Sequence, residues 1–214
     1  MSLVFREQRL PPTIIMVSDK RFTLNPKILR TAYANGYFPM PHPKTQEVLW
    51  YRPDPRAILP LDGFHVSKSL HRRLGKNSFR VTFDSDFMRV MQQCATREET
   101  WINEEFLTAY SALHREGDAH SIEVWVGDVL AGGIYGVSLG GAFFAESMFH
   151  CVTDASKAAL YFLTQKLNAL DYELLEVQFL TPHLESLGAI EISSDSYLVR
   201  LENALQKKTS GSWI

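Results

Sequence analysis

The chain has 214 residues, 45% of them hydrophobic and 21% charged, with a formal net charge of −2. These values exclude a disordered chain, a collagen-like repeat and a uniformly basic nucleic-acid coat, and the length suits one large domain with a small appendage. Cys94 and Cys151 stand far apart with no CxxC pattern. That excludes a disulfide framework or zinc ribbon and points to a reducing compartment, the cytoplasm. Met1 to Met16 mixes charges with a short apolar run, which is no signal peptide. Val129 to Ala145 carries no charge but holds five glycines and is too short to span a bilayer, so no membrane partner is expected.

Nine of the ten prolines lie in the first 60 residues. Proline fixes φ and removes a donor, so residues 1–60 are expected to form a small loop-rich domain and 61–214 a larger one. In chain order, Asn25 caps a helix with Pro26 at its first position and Gly36 at its end. Glu47 to Tyr51 and Ala57 to Leu59 read as short strands. A helix follows from the Ser67 cap to Leu74, then a strand over Phe79 to Phe83. Asp84 is expected to cap a helix to Ala95, and another helix spans Glu104 to Glu116 before Gly117. Three strands come next, Ser121–Val126, Val129–Val137 and Ala142–Phe149, joined by the hairpin dipeptides Gly127-Asp128 and Gly140-Gly141. Asp154 caps a long helix to Leu170. Glu173 to Leu180 is a buried strand, His183 to Leu187 a helical turn stopped by Gly188, and Asp195 to Leu205 a last helix.

A meander, a crossover helix and a further strand give an α+β fold with a mixed sheet flanked by helices. This order resembles the GNAT-type acyltransferase fold. Such enzymes commonly hold a coenzyme pyrophosphate on a Gly-rich loop at the long helix. Here that loop is His150-Cys151-Val152-Thr153-Asp154, which has no glycine and carries a carboxylate, so an acyl-CoA donor is disfavoured.

Gly63 to Phe83 contains Lys68, Arg72, Arg73, Lys76 and Arg80 and no acid; the rest of the chain, with 17 basic and 24 acidic residues, sums to −7. Lys68, Arg72 and Lys76 recur every four residues on one helix face, which suits a phosphate backbone or is simply a solvated face. Glu146 stands among Phe143, Phe144, Met148 and Phe149. It either faces solvent from an alternating strand or is paired in a cleft, where it would hold a cation. Glu176 and Gln178, two apart on a strand, share a face; they either orient and deprotonate an amine or form the polar side of an edge strand. Trp50 and Trp101 line a pocket or belong to the core. No histidine spacing suits a metal, and no nucleophile elbow is present.

Several segments then combine: Tyr33-Ala34-Asn35-Gly36-Tyr37-Phe38-Pro39, Trp50 with Pro53-Asp54-Pro55-Arg56-Ala57, His65-Val66-Ser67-Lys68-Ser69 and Thr100-Trp101-Ile102. They continue with His120-Ser121-Ile122-Glu123-Val124-Trp125, Gly132-Gly133-Ile134-Tyr135-Gly136, Glu146-Ser147-Met148-Phe149, Ala155-Ser156-Lys157 and His183 with Ser186-Leu187-Gly188. In this set and order the chain resembles the leucyl/phenylalanyl-tRNA–protein transferases. The resemblance implies transfer of Leu or Phe, with Met as a further candidate, from aminoacyl-tRNA to proteins beginning with Arg or Lys. That transfer marks the protein for N-degron degradation, without metal or coenzyme. It implies Glu176 and Gln178 as the catalytic pair, Glu146 and Thr181 as acceptor-peptide contacts, and Trp50, Trp101 and Met148 as the aminoacyl pocket. Lys68, Arg72, Arg73, Lys76 and Arg80 become the tRNA surface, and a monomer is expected. The chain departs from the family pattern at Glu176, where Asp, Cys or another small residue is usual, at Thr181, where Asn is usual, and at Met40, where Trp is often found. Ser18 to Thr23 replaces a Gly-Gly-Asp-Leu stretch. A transferase with another acyl donor, or a tRNA- or peptide-binding relative without turnover, stands as the alternative.

Overall fold

The computed structural model describes residues 24–42, 45, 47–96, 100 and 102–213. Helix α1 (Pro26–Ala34) starts as its sequence dictates: Asn25 Oδ1 accepts the Ile28 N–H at 3.1 Å, and Pro26 occupies the first helical position. It leads into an antiparallel ribbon of β1 (Phe38–Pro41) and β2 (Val48–Tyr51), in which Trp50 lies opposite Pro39. β1 is absent from the expected elements because two prolines argue against a strand. Both prolines share one parity, whereas the N–H groups facing β2 belong to the other, as when His42 donates to Glu47 O at 2.7 Å. The missing donors therefore cost the ribbon nothing.

The main sheet has seven strands. They are β3 (Arg56–Ile58), β4 (Arg80–Phe83), β5 (Ala119–Val126), β6 (Val129–Leu139), β7 (Ala142–His150), β8 (Leu174–Gln178) and β9 (Ile190–Ile192), in the spatial order β4-β5-β6-β7-β8-β3-β9. Only β7 and β8 run parallel, joined by the crossover helix α5 (Ala155–Ala169). This is the expected mixed sheet with meander and crossover. β3, encoded before residue 60, lies between β8 and β9 in the large sheet. β9 escapes the sequence because three residues at a sheet edge carry no readable alternation.

The remaining helices are α2 (Lys68–Gly75), α3 (Phe87–Ala95), α4 (Glu104–Arg115), α6 (Pro182–Glu185) and α7 (Ser194–Gln206). Neighbouring strand residues point to opposite faces, so the sheet has two apolar layers. Phe144 and Leu174 pack with Tyr33, Val90, Phe106 and Tyr197 from α1, α3, α4 and α7. Phe143 and Leu175 pack on the other face with Leu70 of α2 and Leu160 and Leu163 of α5. Helix α5 sits so close that a Cβ at Gly132 would lie 2.7 Å from Ala155 Cβ. No helix among the described residues is long and apolar enough to cross a membrane.

Two capping expectations need correction. Asp84 does not start α3; with φ +53° it turns back, its carboxylate accepting the Ser121 N–H at 2.8 Å and lying 2.7 Å from His120 Nδ1. Helix α3 begins at Phe87, and the Glu123 carboxylate on β5 accepts the Ser85 and Asp86 N–H groups ahead of it. Asp154 does precede α5, but in a left-handed conformation and without a side-chain cap. Its carboxylate instead pairs with Lys157 at 2.9 Å and Arg73 at 3.6 Å, which together outweigh burial and hold it below the usual aspartate range.

Candidate active site

Two irregularities in adjacent strands create the site. The β6–β7 register skips Glu146: Tyr135 lies opposite Ser147 and Gly136 opposite Ala145. The β3–β8 register likewise skips Val177, with Ala57 opposite Gln178 and Ile58 opposite Glu176. Bulges re-aim side chains and interrupt alternation. Glu146 consequently projects toward the α1/α4 face while Met148, two residues on, packs with the α5-side cluster.

Glu146 is 6% exposed. Its Oε1 accepts the Tyr33 hydroxyl at 2.6 Å, its Oε2 accepts the Tyr110 hydroxyl at 3.2 Å, and the two phenol oxygens lie 2.5 Å apart. Burial is the largest influence and pushes the carboxyl up to about 8; the Tyr33 and Tyr110 hydroxyls and the nearby Gln178 amide pull against it, and the Glu176 charge adds to it. Burial and the same carboxyl hold both phenols well above the ordinary tyrosine range, so they remain donors. The arrangement favours the neutral form of the carboxyl until the pH approaches about 8.

Gln178 ends β8. Its φ is +64°, and the Phe179 N–H donates to Val177 O at 2.9 Å, two residues back. That is a γ-turn with positive φ, a strained conformation for a residue with a side chain. The Gln178 N–H donates to Glu176 Oε1 at 2.5 Å, and the same oxygen accepts Arg56 Nε at 2.7 Å. Glu176 is 0% exposed, and among the described residues its Oε2 has no hydrogen-bond partner; neither has Gln178 Nε2, also buried. The pair expected on one strand face is thus joined by a side-chain-to-backbone bond across the Val177 bulge. Thr181 begins α6, its hydroxyl oxygen accepting the Leu184 N–H at 3.2 Å.

Lys68, Arg72 and Lys76 are exposed along α2, and Arg80 is exposed at the start of β4 with its guanidinium 4.9 Å from the Trp125 ring. Arg73 departs from this stripe toward Asp154 and lies 5.7 Å from the Phe79 ring. Trp50 packs on the α1/α4-side cluster and Met148 on the α5-side cluster, so the described contacts do not join them. Trp101 lies outside the described residues.

Residues 58–202 match the model of the leucyl/phenylalanyl-tRNA protein transferase family, and residues 22–54 match the model of that family's N-terminal domain. The chain belongs to this family. Its members are aminoacyltransferases. A leucyl/phenylalanyl-tRNA–protein transferase of Ruegeria sp. (strain TM1040) is 53% identical over 186 residues, 86% of this chain and 89% of the relative. Relatives of the same name from Cereibacter sphaeroides (strain ATCC 17023) and Herpetosiphon aurantiacus are 52% and 48% identical, covering 87% and 86% of this chain and 88% and 95% of their own lengths. Among solved structures, that of L-PGS from Bacillus licheniformis aligns with a TM-score of 0.46 at 10% identity, over 85% of this chain and 71% of that one.

Three residues of this candidate site escape sequence reasoning. Tyr33 and Tyr110 sit on the buried faces of α1 and α4, where helical periodicity marks them only as core. Arg56, buried at 0% exposure, lies within the Pro-Asp-Pro-Arg segment, whose motif gives no hint of a partner 120 residues away.

Proposed function

We propose that the chain moves the aminoacyl group of leucyl- or phenylalanyl-tRNA to the α-amine of a protein beginning with Arg or Lys, marking it for N-degron degradation. The observation that carries this reading is Glu146. A buried carboxyl with two phenol donors, beside a strained Gln178, is a receptor for a cation that must shed water to enter. The amine nitrogen attacks the ester carbonyl, a C–N bond forms, the C–O bond to the tRNA ribose breaks, and the amine's proton ends on the departing ribose hydroxyl. An ester is already activated, so the protein has chiefly to align the two reactants.

In this reading Glu146 and Thr181 hold the acceptor's first residue, and the Gln178 amide orients its α-amine. Glu176 works from behind Gln178, because its Oε1 is already engaged by Arg56 and the Gln178 N–H. Trp50 and Trp101 receive the aminoacyl side chain, and Met148, packed on the other layer of the sheet, does not join them. Lys68, Arg72, Lys76 and Arg80 hold the tRNA acceptor end, and Arg73 steadies the α2–α5 junction beside them. The test is a donor screen with leucyl-, phenylalanyl- and methionyl-tRNA and an Arg-starting peptide. Extension of the peptide by Leu or Phe supports the reading; no extension with any donor refutes it.

A further inference from the structure

The strained turn at Gln178 is fastened by a bond to the Glu176 carboxylate, and that fastening leads to a residue outside the proposed catalytic pair. From the contacts around it we infer that Arg56 is a positioning residue of the transfer reaction: through Glu176 it fixes the turn that presents the Gln178 amide to the attacking amine. This rests on the transfer reaction proposed above.

Arg56 is itself held by two hydrogen bonds and two rings. Nε donates to Glu176 Oε1 at 2.7 Å and Nη1 donates to the Gly36 carbonyl at 2.9 Å. Its guanidinium carbon lies 4.8 Å from the Phe38 ring centroid and 4.6 Å from that of Tyr197, over both rings, and its buried Nη2 has no hydrogen-bond partner among the described residues. Tyr197 is set by α7, whose first residue, Ser194, donates its N–H to Asp54 Oδ1 at 2.9 Å. Burial works to strip the guanidinium of its charge, but Glu176, with smaller contributions from Tyr197 and Glu146, outweighs it and the net direction is upward, so the guanidinium stays charged.

The consequence falls on the backbone. A γ-turn with positive φ at a glutamine persists only where its surroundings over-determine it. Here the determinant is the 2.5 Å bond from the Gln178 N–H to Glu176 Oε1. Glutamate is long enough to curl back to the N–H two residues ahead while still meeting Arg56, which gives the departure from Asp at this position a physical use. Without Arg56 the Glu176 carboxylate would lie in an apolar layer with a single donor. It would leave that layer or protonate, and either change frees the turn. The hydrogen bonds of Arg56 reach Glu176 and the Gly36 carbonyl and no proposed substrate contact, so its link to the reacting amine runs through Glu176 and Gln178.

The experiment uses the full chain as wild type, Arg56→Lys, Arg56→Gln, Glu176→Gln and the double variant Arg56→Gln/Glu176→Gln. It measures steady-state leucine transfer to an Arg-starting peptide and hydrogen exchange at the Gln178 amide. Misplacing an aligned group by about an ångström costs roughly 100-fold, so Arg56→Lys and Arg56→Gln should lower kcat by about that factor with both KM values little changed. The Gln178 amide should exchange faster in each. The double variant, which leaves no unpaired buried charge and so covers the case in which Arg56→Gln does not fold, should lose no more than Glu176→Gln alone. Wild-type kcat in Arg56→Lys, unchanged Gln178 protection alongside a lowered kcat, or losses that multiply in the double variant would each overturn the inference. An inactive wild type would instead refute the transfer reading, and the amide exchange would still decide whether Arg56 holds the turn.

Discussion

Glu146→Gln separates the two consequences of a carboxyl placed where burial keeps it neutral. The change is isosteric. Its amide oxygen can still accept the Tyr33 hydroxyl, and its NH2 can donate to the Tyr110 oxygen, so the bulge and both phenols stay in place. In the folded chain Glu146 is pushed from 4.5 to about 8. A raised carboxyl leaves stability intact below 4.5 and removes it progressively as pH climbs toward 8. At 1.36 kcal/mol per unit the wild type forfeits on the order of 5 kcal/mol over that window, and the glutamine variant forfeits nothing. Thermal melts from pH 4.5 to 9 should therefore show the variant overtaking the wild type as pH rises, with the gap levelling off above about 8. Transfer should move the other way. Losing a charge-assisted hydrogen bond costs about 1.5–3 kcal/mol, so kcat/KM for an Arg-starting peptide should fall about 10- to 150-fold. A stability difference that does not change with pH, or an unimpaired Arg-peptide reaction, would refute the assignment of Glu146 as a buried cation receptor.

Tyr33→Phe removes the donor that most strongly pulls the Glu146 carboxyl down. The acid limb of the pH–rate profile with Arg-starting peptides should move to higher pH; a limb that stays put counts against the contact. Changing Lys68, Arg72 and Lys76 together to Ala should reduce the slope of log affinity for tRNA against log salt by about 2, at roughly 0.7 per lost phosphate contact. Filter binding across a salt series reads this, and an unchanged slope places the RNA elsewhere. Gly132→Ala puts a methyl 2.7 Å from Ala155 Cβ. Overpacking between β6 and α5 should cost about 1–3 kcal/mol in a urea melt; full stability would mean that α5 can retreat freely.

Much of the architecture is legible because local signals and global packing agree. Asn25 with Pro26 starts a helix in any context that does not forbid it, and the turn dipeptides at Gly127 and Gly140 enforce the meander. Asp84 shows the limit: a residue able to cap a helix is equally able to take a left-handed turn and bond to β5, and the choice belongs to Ser121 and His120 across the sheet. The site is legible in its polar members and opaque in its assembly. Glu146 and Gln178 draw notice because charged and amide groups are costly among aromatics. Nothing local reveals that each stands at a register break, since a bulge is a property of two paired strands. The convergence of Tyr33, Tyr110 and Arg56 is a tertiary fact of the same kind, arising where α1, α4 and β3 meet β7 and β8.

In the proposed reaction Glu146 reads a positive charge on the acceptor's first residue while leucine passes from tRNA to its amine. The direct measurement compares kcat/KM for two peptides that differ only in beginning with lysine or with norleucine, which has the same aliphatic stem without the ammonium. The wild type should prefer lysine by about 10-fold or more, the value of one desolvated charge-assisted contact, and Glu146→Gln should abolish the preference. Equal rates for the two peptides in the wild type, or a lysine preference that survives Glu146→Gln, would contradict it.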